Sequence, residues 1–230
     1  MLQFLQDELG LTPAHAVADV GSGTGFLTEL FVRNGNLTYA VEPNDAMRSA
    51  AEEAFGSRPN FRSVAATAEA TTLADGSVNF VTAGQAFHWF DPPRARAEFK
   101  RILTPGGFVA LVWNDRRLDG SPFAAAYQQL IAEHRTQPPL AKWRDDAAAE
   151  VDAMREFFGA SGLEIRTFDN AQRLGRAALI DRITSSSYMP MPKDSRHDAM
   201  LRAANAVFDR HQEKGTVVMP YDTKVFFGKL

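Results

Sequence analysis

The chain has no cysteine among its 230 residues, and that single absence excludes disulfides, zinc-thiolate sites and a thiol nucleophile. It also lacks any long apolar run. The longest, Phe108 to Trp113, is far too short to span a bilayer, and Met1 to Gly10 carries Asp7 and Glu8 with neither a basic flank nor a long apolar stretch. These features predict a soluble, cytoplasmic protein with no membrane partner. An excess of either charge is missing as well: 25 Lys and Arg against 28 Asp and Glu leave a formal net charge of -3, which gives no basic field with which to hold nucleic acid. The densest basic cluster, Arg94, Arg96, Lys100 and Arg101, has helical spacing and reads as a solvated helix face. The histidines (His15, His88, His134, His197, His211) show neither His-x-x-x-His spacing nor nearby paired carboxylates, so no metal is expected. What remains is a length that suits one α/β domain with a cap, acting on a small molecule.

The most informative stretch runs from Val17 to Thr28. An apolar run (Val17, Ala18, Val20) stops at Gly21, glycines follow at alternate positions (Gly21, Gly23, Gly25), and an apolar helical pattern (Phe26, Leu27, Leu30, Phe31) begins at once. That is a strand, a tight turn and a helix, with backbone N–H groups brought close to a ligand at a helix N-terminus. A dinucleotide fingerprint wants its third glycine where this chain has Phe26, and a phosphate-binding P-loop wants a lysine that Thr24-Gly25-Phe26 lacks. Leu37 to Val41 reads as a second strand. Glu42 follows it, about 20 residues past the glycine loop, where a carboxylate can accept from both ribose hydroxyls of a nucleoside; the alternative is a helix-capping or surface acid.

Gly-x-Gly-x-Gly with Asp19 two residues upstream resembles motif I of the class I S-adenosylmethionine-dependent methyltransferases, in their small-molecule, type 11-like branch. Ala40-Val41-Glu42-Pro43, the stretch from Ala68-Glu69-Ala70 to Ser77-Val78-Asn79-Phe80-Val81, and Leu103-Thr104-Pro105-Gly106-Gly107 match later motifs of that family in order and spacing. The resemblance covers about Val17 to Asn114. It implies a doubly wound α/β fold: a mostly parallel seven-stranded sheet, Rossmann-like, with an antiparallel last strand inserted beside the fifth, and helical cap segments. It also implies S-adenosylmethionine as cofactor. Gly21, Gly23 and Gly25 then hold its methionine part, Asp19 its ammonium or the loop's backbone, Glu42 the ribose, Ala68 the adenine, and Gln85 the region of the methionine tail. Where the family carries an Asp for the adenine amino group this chain has Thr67, which leaves the Ala68 N–H and the Thr67 hydroxyl as contacts, with Glu69 a further candidate or a helix-start acid.

The remaining elements follow from periodicity. Leu2 to Leu11 and Asn44 to Phe55 read as helices, Phe61 to Ala65 and Val78 to Thr82 as strands. Phe87-His88-Trp89-Phe90 falls on the loop after the fourth strand, at the strand ends where ligands gather, and its ring faces suit a sulfonium cation. His88 is the candidate base or acceptor-orienting group, or a hydrogen-bonded structural histidine. Pro92-Pro93 opens a helix, Leu103 to Gly107 ends it, and Phe108 to Trp113 is the fifth strand. Beyond Asn114, a helix opened by Ser121-Pro122 ends at Pro138-Pro139, and a polar stretch with Trp143 follows. Val151 to Phe158 is a helix, Leu163 to Phe168 a strand, and Ala177 to about Ser187 a helix whose Arg182 and Tyr188 are either substrate contacts or surface pairing. Ser195-Arg196-His197-Asp198 has capping-box form before a core stripe (Met200, Leu201, Ala204, Val207, Phe208), and Val217 to Phe227 is a last strand in which Pro220 marks a bend or an edge.

One domain is therefore expected over residues 1–230, with a cofactor-binding core at about 12–114 and a helical cap with C-terminal strands at about 115–230. The function expected is methyl transfer to a small-molecule acceptor. The competing readings are a non-catalytic nucleoside-binding protein and an NAD-type oxidoreductase.

Overall fold

The apolar run at the start of the chain forms the central strand β1 (Ala16–Val20), buried from Val17 onward as a doubly covered strand must be. A computed structural model describes residues 1–136, 147–159, 162–186 and 188–230. β1 pairs in parallel with β2 (Leu37–Val41) and β4 (Val78–Gly84), β2 with β3 (Phe61–Val64), and β4 with β5 (Leu103–Arg116). With β6 (Glu164–Leu174) and β7 (Val217–Gly228) the order is β3-β2-β1-β4-β5-β7-β6, the last strands antiparallel. This is the seven-stranded arrangement the resemblance implied. Strand order reverses between β1 and β4, so the loops after Val20 and Gly84 leave side by side at the sheet's switch point.

Helix ends explain where the chain turns. After a short α1 (Leu2–Asp7), α2 (Thr28–Asn34) stops at Gly35, left-handed at φ 92°, whose N–H reaches the carbonyls of Phe31 and Val32. α3 (Asp45–Phe55) is capped by the Asn44 side chain on the Met47 N–H, and α4 (Pro92–Ile102) by Asp91 on the Arg94 N–H, with prolines in its first turn where no N–H is needed. Ser121 does the same for α5 (Pro122–His134). α6 (Ala147–Phe158), α7 (Arg176–Thr184) and α8 (His197–His211) complete the helices.

The chain folds as two compact units. The first takes in Met1–Trp113, Ala147–Thr167 and Lys224–Leu230, the second Asn114–Asp146 and Phe168–Thr223. The first unit packs the sheet against aromatic rings: Phe87 lies edge-on to Phe157 at 4.9 Å, and Trp113 edge-on to Phe226 at 5.9 Å. The second has its own core, in which Tyr127, Leu179, Ile183, Met200, Phe208 and Met219 are buried. No described helix is long and apolar enough to cross a membrane.

Three local expectations are corrected. The capping box at Ser195 does not form: Asp194 instead accepts from the Arg196 N–H at 2.9 Å and from its guanidinium, and α8 starts at His197 without a side-chain cap. Pro220 is not on an edge, because β7 lies between β5 and β6; its carbonyl accepts from the Arg117 N–H at 3.0 Å. α4 does end at Leu103, as expected, but the fifth strand starts there and not at Phe108, with the register to β4 shifting between Val78 and Phe80. Pro138, Pro139, Trp143 and Ser187 lie outside the described residues.

Candidate functional site

The glycine loop divides its labour between packing and openness. Gly21 (φ 67°) donates its N–H to the Val41 carbonyl at 2.8 Å, and a Cβ there would stand 2.6 Å from the Ala86 Cβ. Gly25 sits equally tightly, since a Cβ on it would stand 2.6 Å from the Phe55 ring. Gly23 (φ 57°) is different: a Cβ there would meet nothing within 4 Å. So the outer glycines let the loop lie down on its neighbours, and the middle one has open space where a side chain would stand, its N–H being held by Glu42. Between them the Ser22 hydroxyl is buried without a hydrogen-bond partner, a feature that the glycine spacing gave no reason to single out.

Two carboxylates hold the loop from below and from the side. Asp19 is fully buried in β1; it accepts from the Thr28 hydroxyl at 2.6 Å, from the Thr82 hydroxyl at 3.2 Å and from the Thr28 backbone N–H. Burial, with a smaller addition from the charge of Glu42, outweighs the hydrogen bonds from Thr28 and Thr82 and leaves its carboxyl raised to about 7. Its oxygens therefore serve the footing of the loop and the start of α2. Glu42, 6% exposed at the end of β2, accepts from the Gly23 N–H at 2.9 Å through one oxygen and from the Asn44 N–H at 2.8 Å through the other. A carboxylate has about four lone-pair sites, so each oxygen keeps room for one further donor.

The segment after β4 closes against the same loop. Gln85 takes a left-handed backbone (φ 56°) as it leaves the strand, its N–H bonded to the Val112 carbonyl at 2.9 Å, and this turn brings Ala86 against Gly21. Phe87 to Trp89 then form a 3-10 turn rather than an open loop. The aromatic run splits accordingly: Phe87 is core, Trp89 is 68% exposed, and the half-buried His88 lies 4.8 Å from the Trp89 ring. Ala68 is buried in the turn closed by the Thr67–Ala70 bridge. Next to it Glu69 accepts from the Asp91 N–H at 2.9 Å, tying that turn to the His88 segment. Burial raises the Glu69 carboxyl, but the Asp91 N–H, its own N–H, the Thr67 hydroxyl and the charge of Arg94 outweigh it, and its pKa falls below the usual value. Two large apolar side chains stand exposed, Phe26 next to the loop at 78% and Met47 in the first turn of α3 at 48%. Among the described residues no cluster of His, Asp and Glu can hold a metal ion.

Residues 18–111 match the model of the methyltransferase domain family. An uncharacterized methyltransferase of Mycobacterium tuberculosis is 44% identical over 108 residues, 46% of this chain and 43% of the relative. A malonyl-acyl-carrier-protein O-methyltransferase of Pectobacterium atrosepticum is 32% identical over 148 residues, 62% of this chain and 56% of the relative. The chain thus spans about half the length of the curated relatives it matches. In fold it is similar to a protein from Anaeromyxobacter dehalogenans provisionally described as a type II methyltransferase, with a TM-score of 0.71 at 22% identity, covering 99% of this chain and 94% of that one.

Proposed function

We propose that this chain, whose residues 18–111 match the methyltransferase domain family, is a class I enzyme that moves a methyl group from S-adenosylmethionine to a small-molecule acceptor by in-line transfer. The observation that carries the reading is the pairing of Gly23 and Glu42: an open backbone face, and beside it a carboxylate with acceptor capacity to spare, at the C-terminal ends of parallel strands. These residues fit the cofactor, with Glu42 taking the ribose hydroxyls, the glycine loop the methionine part, the Ala68 backbone the adenine, and Gln85 the region beside the tail. When bound, S-adenosylmethionine supplies an electrophilic methyl on a sulfonium whose sulfur leaves as a neutral thioether. The protein then needs no acid for the leaving group, and its contribution is alignment and the exclusion of water. His88 is the candidate for removing a proton from an acceptor that is protonated at neutral pH; a carboxylate acceptor needs no such base. The formal net charge of -3 favours neither nucleic acid nor an anionic membrane as partner.

The decisive experiment is calorimetric titration of the purified protein with S-adenosylhomocysteine, with NAD in parallel. Saturable binding of the former alone is the expected result. Binding of NAD alone overturns the reading in favour of an oxidoreductase, and binding of neither removes a nucleoside cofactor from this site.

A further inference from the structure

We propose that the second compact unit holds a carboxylate-binding site, built from Arg116, Arg182 and the Tyr221 hydroxyl, that takes a small carboxylic acid. The site stands on this unit's own residues and is independent of the methyltransferase reading. Arg116 ends β5 and Arg182 lies in the last turn of α7, both half-buried. The Arg116 guanidinium is 5.4 Å from the centre of the Tyr127 ring, and that of Arg182 is 5.6 Å from the centre of the Tyr221 ring. Tyr127 and Tyr221 each feel both guanidiniums, and each feels Tyr188 as well, so the five side chains form one electrostatic group. Burial raises the pKa of both phenols, which keeps them as O–H donors at neutral pH.

Two observations separate this group from an ordinary cationic rim on an apolar core. First, Tyr221 is 5% exposed and its hydroxyl has no hydrogen-bond partner, whereas buried hydroxyls in folded proteins are almost always paired. Second, Arg116 and Arg182 are half-buried without an ion pair, whereas the unit's other unpaired described arginines, Arg135, Arg173, Arg202 and Arg210, stand exposed to water. Arg117 pairs with Asp169 and Asp222, and Arg176 with Asp209. Among the described residues neither Arg116 nor Arg182 has an ion-pair partner; the neutral Gln172 takes one Arg182 N–H at 2.7 Å, and the Tyr127 hydroxyl accepts from Arg182 as well. Two planar guanidinium forks and an orphaned phenol, set at the edge of the cluster that holds Leu179, Ile183 and Met219, match a carboxylate on an apolar body.

The test is calorimetric titration of the whole chain with succinate, glutarate and benzoate, against succinamide, benzamide and inorganic phosphate, each with and without S-adenosylhomocysteine. At least one carboxylate is expected to bind saturably while the uncharged amides do not. Arg182→Gln and Arg116→Gln should each weaken that binding by about tenfold or more, and Tyr221→Phe by about threefold or more, with affinity for S-adenosylhomocysteine unchanged. If an arginine variant loses its native circular dichroism, Tyr221→Phe decides, since it removes a single oxygen. No saturable carboxylate binding, tighter binding of phosphate, or variants that bind carboxylates as the wild type does would each overturn the proposal. Carboxylate binding by a chain that ignores S-adenosylhomocysteine keeps the anion site and removes the methyltransferase reading; the reverse pattern does the opposite.

Discussion

The buried carboxyl of Asp19 makes the stability of this fold depend on pH in a direction opposite to that of most acids. A group pushed from 3.8 to about 7 is neutral in the folded chain where it is already charged in the unfolded one, so folding takes up a proton between those values. Its contribution is therefore fully present below pH 3.8 and is lost as pH rises through about 7, by about 4 kcal/mol in all. Between about pH 5 and about pH 8 the part lost is about 2.5 kcal/mol. Asp19→Asn isolates that quantity. The amide keeps the shape, accepts from Thr28 through its oxygen, and can donate to the Thr82 hydroxyl, but it does not ionise. Urea denaturation of both proteins at the two pH values is the assay, and every other titrating group cancels in the difference. The variant should gain about 2.5 kcal/mol relative to wild type on going to the higher pH, a shift of about 1 M in midpoint at unchanged slope. A difference between the two proteins that stays constant with pH would refute the argument that Asp19 is desolvated, whatever its absolute size.

Glu98 works the other way. The Arg101 guanidinium holds its carboxyl at about 2 against the cost of burial, with the Thr71 hydroxyl and N–H adding to the pull, so that stability present above pH 4.5 is lost as pH falls through about 2. Glu98→Gln should cost about 2 kcal/mol near neutrality, allowing for the half-exposed Arg101, and flatten the acid limb in pH-dependent melting. At the glycine loop, Gly23→Ala should cost about 1 kcal/mol for its left-handed backbone, whereas Gly21→Ala adds a collision with Ala86 worth about 1–3 kcal/mol more; thermal unfolding separates the two, and equal losses would sink the division between open and packed glycines. Glu42→Ala removes two charge-assisted acceptor oxygens and should weaken S-adenosylhomocysteine by more than about tenfold in calorimetry, with unchanged affinity removing it from the site. His88→Asn should lower kcat by about a hundredfold with a hydroxyl or amine acceptor and leave cofactor affinity alone; an unaltered kcat denies it the role of base.

Much of the sheet was legible because each of its strands carries a local signature. β1, β2 and β4 are apolar runs closed by glycine or by a turn, and their parallel order follows once helices are seen to alternate with them. What escaped is what depends on partners distant in sequence. Pro220 looks like an edge residue to any reading of its own strand, since it lacks an N–H; only the return of β7 between β5 and β6 makes it interior, with its carbonyl satisfied by Arg117. The capping box at Ser195 failed for a nearer reason. Asp194, one residue earlier, offers a charged acceptor to the Arg196 N–H and holds its guanidinium too, and a charged acceptor outcompetes a hydroxyl.

At the site, composition announced that glycine was needed but not which glycine faced a ligand. Gly21 and Gly25 are explained by Ala86 and Phe55, one from the segment after β4 and one from the end of α3, and only after those neighbours are assigned does Gly23 remain as the position with nothing above it. Asp19 poses the same problem in electrostatic form. An acid two residues before the first glycine serves equally well as a partner for an ammonium or for the backbone, and the local pattern does not choose between them. Thr28 and Thr82 favour the backbone: two hydroxyls and an N–H occupy most of the acceptor sites of a fully buried carboxyl, whose low-dielectric surroundings raise its pKa. In the proposed site the charge offered to a ligand at the loop is then that of Glu42, whose oxygens are only half used, with the buried acid beneath as a footing for the loop and the start of α2.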